Sequence, residues 1–387
     1  MYITDDELAG FDSYKYSSID TSPLSNYVMH PFWNQFVKIF PKWVAPNLMT
    51  FSGFLLLVLQ TAVLTFYDPY WYASASEFTE YPPIPAWVWW LCVFTQFFSH
   101  TLDGCDGKQA RRTGSSSPMG ELFDHGIDSW CVSMFAFGIY SIFGRGECGA
   151  SAWQFYAVLW MLMTCFLLCH WEKYNTGILY LPWSYDFSQV VMALAYAMCA
   201  FFGTEIWRAD IYGIKIREYI LVILYASGIL FSMPVCFYNV YRSYVDKTGK
   251  MRSMYEAFIP LFSSVIVFVL FTTWCFFSTG NILHQSPRWM LTAVGVILSN
   301  IVCRLIVSQM SNSRCQVFNF LIVPLFCAVS VSLFFGDATI ESWCLKILTV
   351  SLVLLHIHYG VVVVDQLAEH LGIRVFSITK QLKKHKE

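Results

Sequence analysis

The chain has 387 residues, 56% of them hydrophobic and only 13% charged, with a formal net charge of −2. A water-soluble domain carries about 25% charged residues, so this composition excludes an ordinary soluble fold, and nothing in the near-zero net charge suggests a nucleic-acid partner. The apolar residues fall in blocks long enough to cross a bilayer, which predicts an all-α polytopic membrane protein with about ten transmembrane helices.

Residues 1–24 are polar and acidic and are expected to be mobile or laid on the membrane surface. From Leu24 to Phe40 the residues Tyr27, Val28, Phe32, Trp33, Phe36, Val37 and Phe40 recur at near-helical spacing, and Lys38 and Lys42 follow. That pattern predicts an amphipathic interfacial helix within a cytosolic segment covering residues 1–46. Ala45-Pro-Asn then opens a transmembrane domain over 47–365. Its spans are expected near 47–67, 85–102, 124–143, 152–170, 186–206, 218–239, 256–279, 289–309, 317–335 and 342–364. A basic cytosolic tail over 366–387 completes the chain.

Lysine and arginine set the orientation. Seventeen of them fall with the termini and the loops after even-numbered spans, and five fall on the other side. The first side is therefore read as cytosolic. Arg208, Lys215 and Arg217 break the rule locally and raise the expectation of a miscounted span around 206–218. The thirteen cysteines include no Cys-x-x-Cys pair, so neither a zinc site nor a disulfide framework is indicated.

Charge is scarce except in one place. Asp103 and Asp106 lie at the cytosolic end of the second expected span. Asp124 and Asp128 lie at the start of the third, after a link of about twenty residues. Spacings of three and four put side chains on one helix face, and a short link makes the two helices antiparallel neighbours. Two carboxylate pairs facing each other suit hard cations such as Mg²⁺ or Mn²⁺, which leave coordination positions for phosphate oxygens. Two such ions clamp a diphosphate well.

Arg111 offers a planar fork for phosphate, and Lys108 and Arg112 add positive charge at the mouth. Gly104, Gly107, Gly120 and Gly126 remove bulk where helices and a nucleotide must approach closely. His125 stands among the acidic residues as a candidate base, with Glu121 one turn earlier to orient its ring. A second-shell or structural histidine is the plainer alternative.

Other residues invite functional readings with bland competitors. His170, Glu172 and Lys173 end the fourth span, where they either recognise a head group or only close the helix. Asp186 and Gln189 are candidates for an ammonium group. Trp171, Tyr174, Trp183 and Tyr185 form either a cation box or an interfacial belt. His356 and His358 are read as helix-to-helix hydrogen-bonding groups. A cation transporter with intramembrane carboxylates is the alternative from another class. It needs acidic residues near the midplane, and here they gather at one face.

The pattern Asp-x-x-Asp-Gly-x-x-Ala-Arg, eight residues, Gly-x-x-x-Asp-x-x-x-Asp runs from Asp103 to Asp128. With it the chain resembles the CDP-alcohol phosphotransferase family, matching at Asp103, Asp106, Gly107, Ala110, Arg111, Gly120, Asp124 and Asp128. The runs Ser22–Phe32, Ala45-Pro-Asn, His170-Trp-Glu-Lys-Tyr-Asn-Thr-Gly-Ile-Leu and His356-Ile-His-Tyr-Gly look most like its ethanolamine-directed branch of the selenoprotein I type. The likeness covers roughly residues 7–378. One departure is that the sequence ends in Lys383-Lys-His-Lys-Glu, without the selenocysteine-bearing tail of vertebrate members.

The resemblance implies a reaction in which CDP-ethanolamine donates phosphoethanolamine to diacylglycerol and releases CMP. A choline or dual-specificity enzyme is the near alternative. It further implies that Asp103, Asp106, Asp124 and Asp128 hold two Mg²⁺ or Mn²⁺ ions. Asn47, Gly107 and Arg111 would accommodate the CDP moiety, and His125 would act as base, with Asp128 the alternative. A homodimer in the endoplasmic reticulum or Golgi, its active site facing the cytosol among membrane lipid, is the expected setting.

Overall fold

The computed structural model describes residues 2–75, 77–147 and 149–378. Over these the chain is helical, with only two short strand pairs. Two small helices, α1 (Asp5–Asp12) and α2 (His30–Phe36), come first. The long helices α3 (Pro46–Tyr67), α4 (Ala86–Thr113), α5 (Pro118–Phe143), α6 (Ala152–Thr176) and α7 (Ser184–Phe202) follow. Next, α8 (Ile216–Ala226) runs through a π-helical turn at Ser227–Ser232 into α9 (Met233–Val245). The remaining helices are α10 (Met254–Phe277), the short α11 (Ile282–Gln285), α12 (Pro287–Met310), α13 (Ile322–Phe335) and α14 (Ala338–Leu371).

Every expected span coincides with a helix, α8 and α9 together making one. Eight helices among the described residues are long and apolar enough to cross a membrane. The protein is an all-α polytopic membrane protein. α4 shares its length with the charged motif, and the 14 residues of α13 extend only about 21 Å at 1.5 Å per residue, short of a hydrocarbon layer of roughly 30 Å.

Local chemistry sets the helix ends. Ser117 accepts from the Gly120 amide with Pro118 in the first turn, and Ser151 and Gln154 form a capping box. Gly114, at φ +67°, closes α4 in a left-handed turn that other residues adopt reluctantly. At the centre, α12 is apolar on nearly every face and packs against α5, α6, α10 and α14. Its few polar groups are paired across helices. Ser299 bridges Ser129 (2.5 Å) and His356 Nε2 (2.8 Å), and Asn300 Nδ2 meets His356 Nδ1 at 3.1 Å. Such pairing is what a waterless bilayer interior demands.

The N-terminal residues are docked, not loose. A capping box at Thr4 and Glu7 starts α1, Leu8 and Phe11 turn its apolar side into the main core, and Ile3 just before it is buried there too. Tyr2 and Ile3 donate backbone N–H groups to Gln366 Oε1, at 2.9 and 3.3 Å. Strand β1 (Ser18–Asp20) then pairs in parallel with β2 (Leu179–Leu181), just beyond α6. Two buried apolar side chains on one short helix, with Ile3 just ahead of it, help to hold a segment whose average polarity suggested mobility. Downstream, the stretch is helical from Leu24 to Ile39, in π, α and 3₁₀ turns, and Phe40 is extended. It buries Met29, Trp33 and Val37 and leaves Tyr27, Val28 and Ile39 exposed.

The suspected extra span around 206–218 does not exist. α7 ends at Gly203, and a 3₁₀ turn and a small hairpin (β3, Asp210–Ile211; β4, Ile214–Lys215) lead directly into α8. The basic residues there answer to neighbouring acids and carbonyls. Arg208 pairs with Glu77 at 3.6 Å and with Glu205 at 3.5 Å, and Lys215 and Arg217 both donate to the Glu147 carbonyl.

Candidate active site

The motif lies inside helices. α4 continues past the expected end of its span to Thr113, and only Gly114–Ser117 separates it from α5. Nothing between Asp103 and Thr113 breaks a helix, so the charged residues change the solvent of the helix and not its geometry. Asp106 stands seven residues before Thr113 and Asp124 six after Pro118. In an antiparallel hairpin this brings them level, roughly 10 Å in from the turn.

Asp103, Asp106 and Asp124 each offer a carboxylate oxygen, and these atoms lie within 4.8 Å of one another. Asp128 follows one turn further along α5 and is not part of that trio. Like charges this close repel unless a cation or proton joins them. One oxygen of Asp124, Oδ1, is buried with no partner among the described residues. The donor set is all oxygen, as a hard divalent cation requires. The trio therefore fits such an ion.

Asp106 and Asp103 are oriented by neighbouring groups. Thr50 on α3 donates to Asp106 Oδ2 at 2.5 Å, and the Gly107 amide donates to Asp106 Oδ1. Tyr185, at the start of α7, donates to Asp103 Oδ2 at 3.0 Å. Asn47, in the first turn of α3, is nearly buried and faces Gly120. Arg111 is exposed and has no hydrogen-bond or ion-pair partner among the described residues. Lys108 and Arg112 are committed to the N-terminal helices: Lys108 to Asn34 at 2.8 Å, Arg112 to the Val37 and Phe40 carbonyls at 3.0 and 2.7 Å.

The four glycines divide. A Cβ on Gly104 would collide with the Trp33 indole, so that glycine serves the packing of α2 on α4. On Gly107, Gly120 and Gly126 the nearest atoms would lie 3.6 to 3.9 Å away, ordinary contacts. At these three positions the folded chain itself leaves room for a methyl group, and Gly107 directly follows Asp106 of the trio.

His125 is buried beside the trio. Its Nε2 lies 3.9 Å from Asp124 Oδ2 and its Nδ1 3.8 Å from Glu121 Oε1. Nδ1 and Glu121 Oε2 are both without a hydrogen bond. The ring faces His170 at 5.2 Å, and His170 in turn meets Gln309 at 3.4 Å. Glu121 receives Lys173 Nζ and the Tyr14 hydroxyl, the latter at 2.7 Å.

Other candidates fall elsewhere. Asp186 takes a hydrogen bond from Ser25 at 2.5 Å and meets His100 Nε2 at 2.8 Å, and Gln189 bonds Gln96. Glu172 accepts from Asn239 at 2.6 Å. No aromatic box forms from the four expected rings: Trp171 donates to the Ala257 carbonyl, Arg252 stacks on Tyr174, and Trp183 donates to Thr21. Thr50, Tyr14 and the hydroxyl of Tyr185 are the site groups that sequence reasoning missed. Thr50 alone left a trace, one turn beyond Asn47 on the same helix.

The comparisons agree with this geometry. The family model described as CDP-alcohol phosphatidyltransferase matches residues 43–230, which contain the whole acidic hairpin. The chain is 47% identical over 380 residues to human ethanolaminephosphotransferase 1, covering 98% of this chain and 95% of that one. To the mouse ethanolaminephosphotransferase 1 it is 47% identical over 382 residues, with the same coverage. Choline/ethanolaminephosphotransferase 1 of Arabidopsis thaliana is 28% identical over 407 residues, 98% of this chain and 99% of that one. With an acidic trio on paired helices and near-half identity along almost its full length, this chain belongs to the CDP-alcohol phosphatidyltransferase family.

Proposed function

We propose that the protein is an ethanolaminephosphotransferase: it moves phosphoethanolamine from CDP-ethanolamine to the free hydroxyl of diacylglycerol, giving phosphatidylethanolamine and CMP. The observation that carries the proposal is the convergence of Asp103, Asp106 and Asp124 from two antiparallel helices, with His125 beside them. Near-half identity to relatives named for ethanolamine, against 28% to a plant relative named for both alcohols, supports the choice of head group.

In this reading Asp103, Asp106, Asp124 and Asp128 hold two Mg²⁺ or Mn²⁺ ions. Bound there, such ions neutralise diphosphate charge and favour CMP as leaving group. Asn47 and Arg111 grip the CDP moiety, and Gly107 leaves it room. His125 acts from Nε2. With Nδ1–H directed at Glu121, the Nε2 lone pair faces the acidic trio, where the lipid hydroxyl arrives. The hydroxyl oxygen bonds to the phosphorus of the phosphoethanolamine group, and its proton passes to Nε2. The bond to the bridging oxygen breaks, and CMP departs with that electron pair.

The protein would work in the endoplasmic reticulum or Golgi membrane as a homodimer, its site on the cytosolic face. The test is CMP release by purified protein given diacylglycerol and either CDP-ethanolamine or CDP-choline, with and without EDTA. Faster, EDTA-sensitive release from CDP-ethanolamine is expected. Equal or faster release from CDP-choline would move the assignment to the choline or dual enzyme, and no release from either would remove it.

A further inference from the structure

We propose that Tyr14 and Lys173 are positioning residues that set Glu121, and through it His125, so that the docked N-terminal segment is part of the catalytic unit. This deepens the phosphotransferase reading and rests on it.

Glu121 is nearly buried, and both of its close contacts converge on one oxygen. Oε1 takes the Tyr14 hydroxyl at 2.7 Å and the ammonium of Lys173, whose own side chain is almost fully enclosed. Oε2 has no partner, and neither has His125 Nδ1. Two donors on Oε1 fix the carboxylate, which lies 3.8 Å from His125 Nδ1 at that same oxygen and keeps Oε2 without a partner. A small rotation completes the bond to Nδ1 and selects the tautomer whose Nε2 is free. Lys173 also supplies the opposite charge that a buried carboxylate needs to stay an acceptor.

The two donors come from different parts of the fold. Lys173 belongs to the last turn of α6. Tyr14 lies between α1 and β1, in a stretch held at both ends. On one side Gly10 sits so close to the Ser311 backbone that a Cβ there would collide with it. On the other, Ser18 opens the pairing of β1 with β2. The stretch between also lays the Tyr14 and Tyr16 rings near the lysine, 5.6 and 5.0 Å from Nζ. Burial and the adjacent Glu121 carboxylate push the Tyr14 phenol up, so it remains a donor at every working pH. Among the described residues the Tyr14 hydroxyl has no hydrogen bond other than the one to Glu121, which singles it out as the part that acts.

The experiment is a double-mutant cycle on the full-length protein in detergent or vesicles, using CDP-ethanolamine and diacylglycerol. Tyr14→Phe deletes one oxygen. The expected result is a roughly tenfold fall in kcat, the size typical of lost orienting partners, with KM for CDP-ethanolamine unchanged within about twofold. In a Glu121→Gln background the same change should cost little, because the residue through which it acts is already disabled. Lys173→Arg should keep most of the turnover that Lys173→Met loses. Thermal unfolding of each variant separates folding from turnover. Wild-type kcat in Tyr14→Phe, an equal loss in both backgrounds, or a loss that only tracks the folded fraction would overturn the inference while leaving the parent reaction standing. A wild-type protein that releases no CMP would instead remove the reaction, and this inference with it.

Discussion

Asp106 is gripped from two directions, by a threonine hydroxyl and by its neighbour's amide, before any cation arrives. Orienting partners of this kind typically govern metal affinity by about 10- to 100-fold. Thr50→Val should therefore raise the Mg²⁺ or Mn²⁺ concentration for half-maximal activity about tenfold and leave saturated turnover nearer to wild type. Asp106→Ala and Asp124→Ala remove donors of the trio itself, and CMP release should be undetectable in both. For His125→Ala the expected signature differs: turnover falls by about 10²- to 10⁴-fold, as for loss of a general base, while binding of CDP-ethanolamine measured by calorimetry persists. Loss of both together would make His125 a structural residue, and an intact rate would pass the role to Asp128. These acidic residues and the histidine were legible in the sequence because charge is rare in a chain of this composition. The hydroxyls of Thr50, Tyr14 and Tyr185 were not. Hydroxyl side chains are common in membrane helices, and their partners come near only after helices distant in sequence have packed.

At the scale of elements, the hairpin of α4 and α5 converts a sequence spacing into a site. The expectation of a twenty-residue link was wrong for an identifiable reason. Hydropathy marks where a helix leaves hydrocarbon, whereas backbone chemistry marks where it stops, and here the stop is Gly114 with Ser117 and Pro118 behind it. The helices themselves were legible, since a blocky apolar pattern needs little context. Invisible from sequence was the division of labour among the glycines, and a pair of substitutions exposes it. Gly104→Ala drives a methyl into Trp33 and should destabilise the protein by about 1–3 kcal/mol, as overpacked sites do, seen as a lowered unfolding temperature. Gly107→Ala fits the folded chain and should leave that temperature unchanged, while KM for CDP-ethanolamine rises because the methyl is added directly after Asp106 of the trio.

Across the whole molecule, the central helix α12 holds α5 and α6 in place, so the site depends on a scaffold that reaches the far end of the chain. Its polar bonds to Ser129 and His356 are buried between helices, and cross-helix bonds in membranes average less than about 2 kcal/mol each. Packing around α12, more than those bonds, is what keeps the hairpin seated. The docking of the first twenty residues was the least legible part of the fold. Their composition reads as polar, and their burial depends on surfaces more than three hundred residues away, at Gln366.

That last contact fixes an order of events during synthesis. The ribosome delivers Tyr2 well before Gln366, so the Tyr2 and Ile3 amides have no acceptor there until α14 has emerged and inserted. A nascent chain can already carry the complete acidic hairpin in the bilayer and still lack the cover that reaches Glu121. Full positioning of Glu121 would follow only once β2 and the end of α12, which seat the stretch carrying Tyr14, are in place. A chain interrupted ahead of α14 would keep the acidic hairpin but lose the Gln366 anchor of that segment.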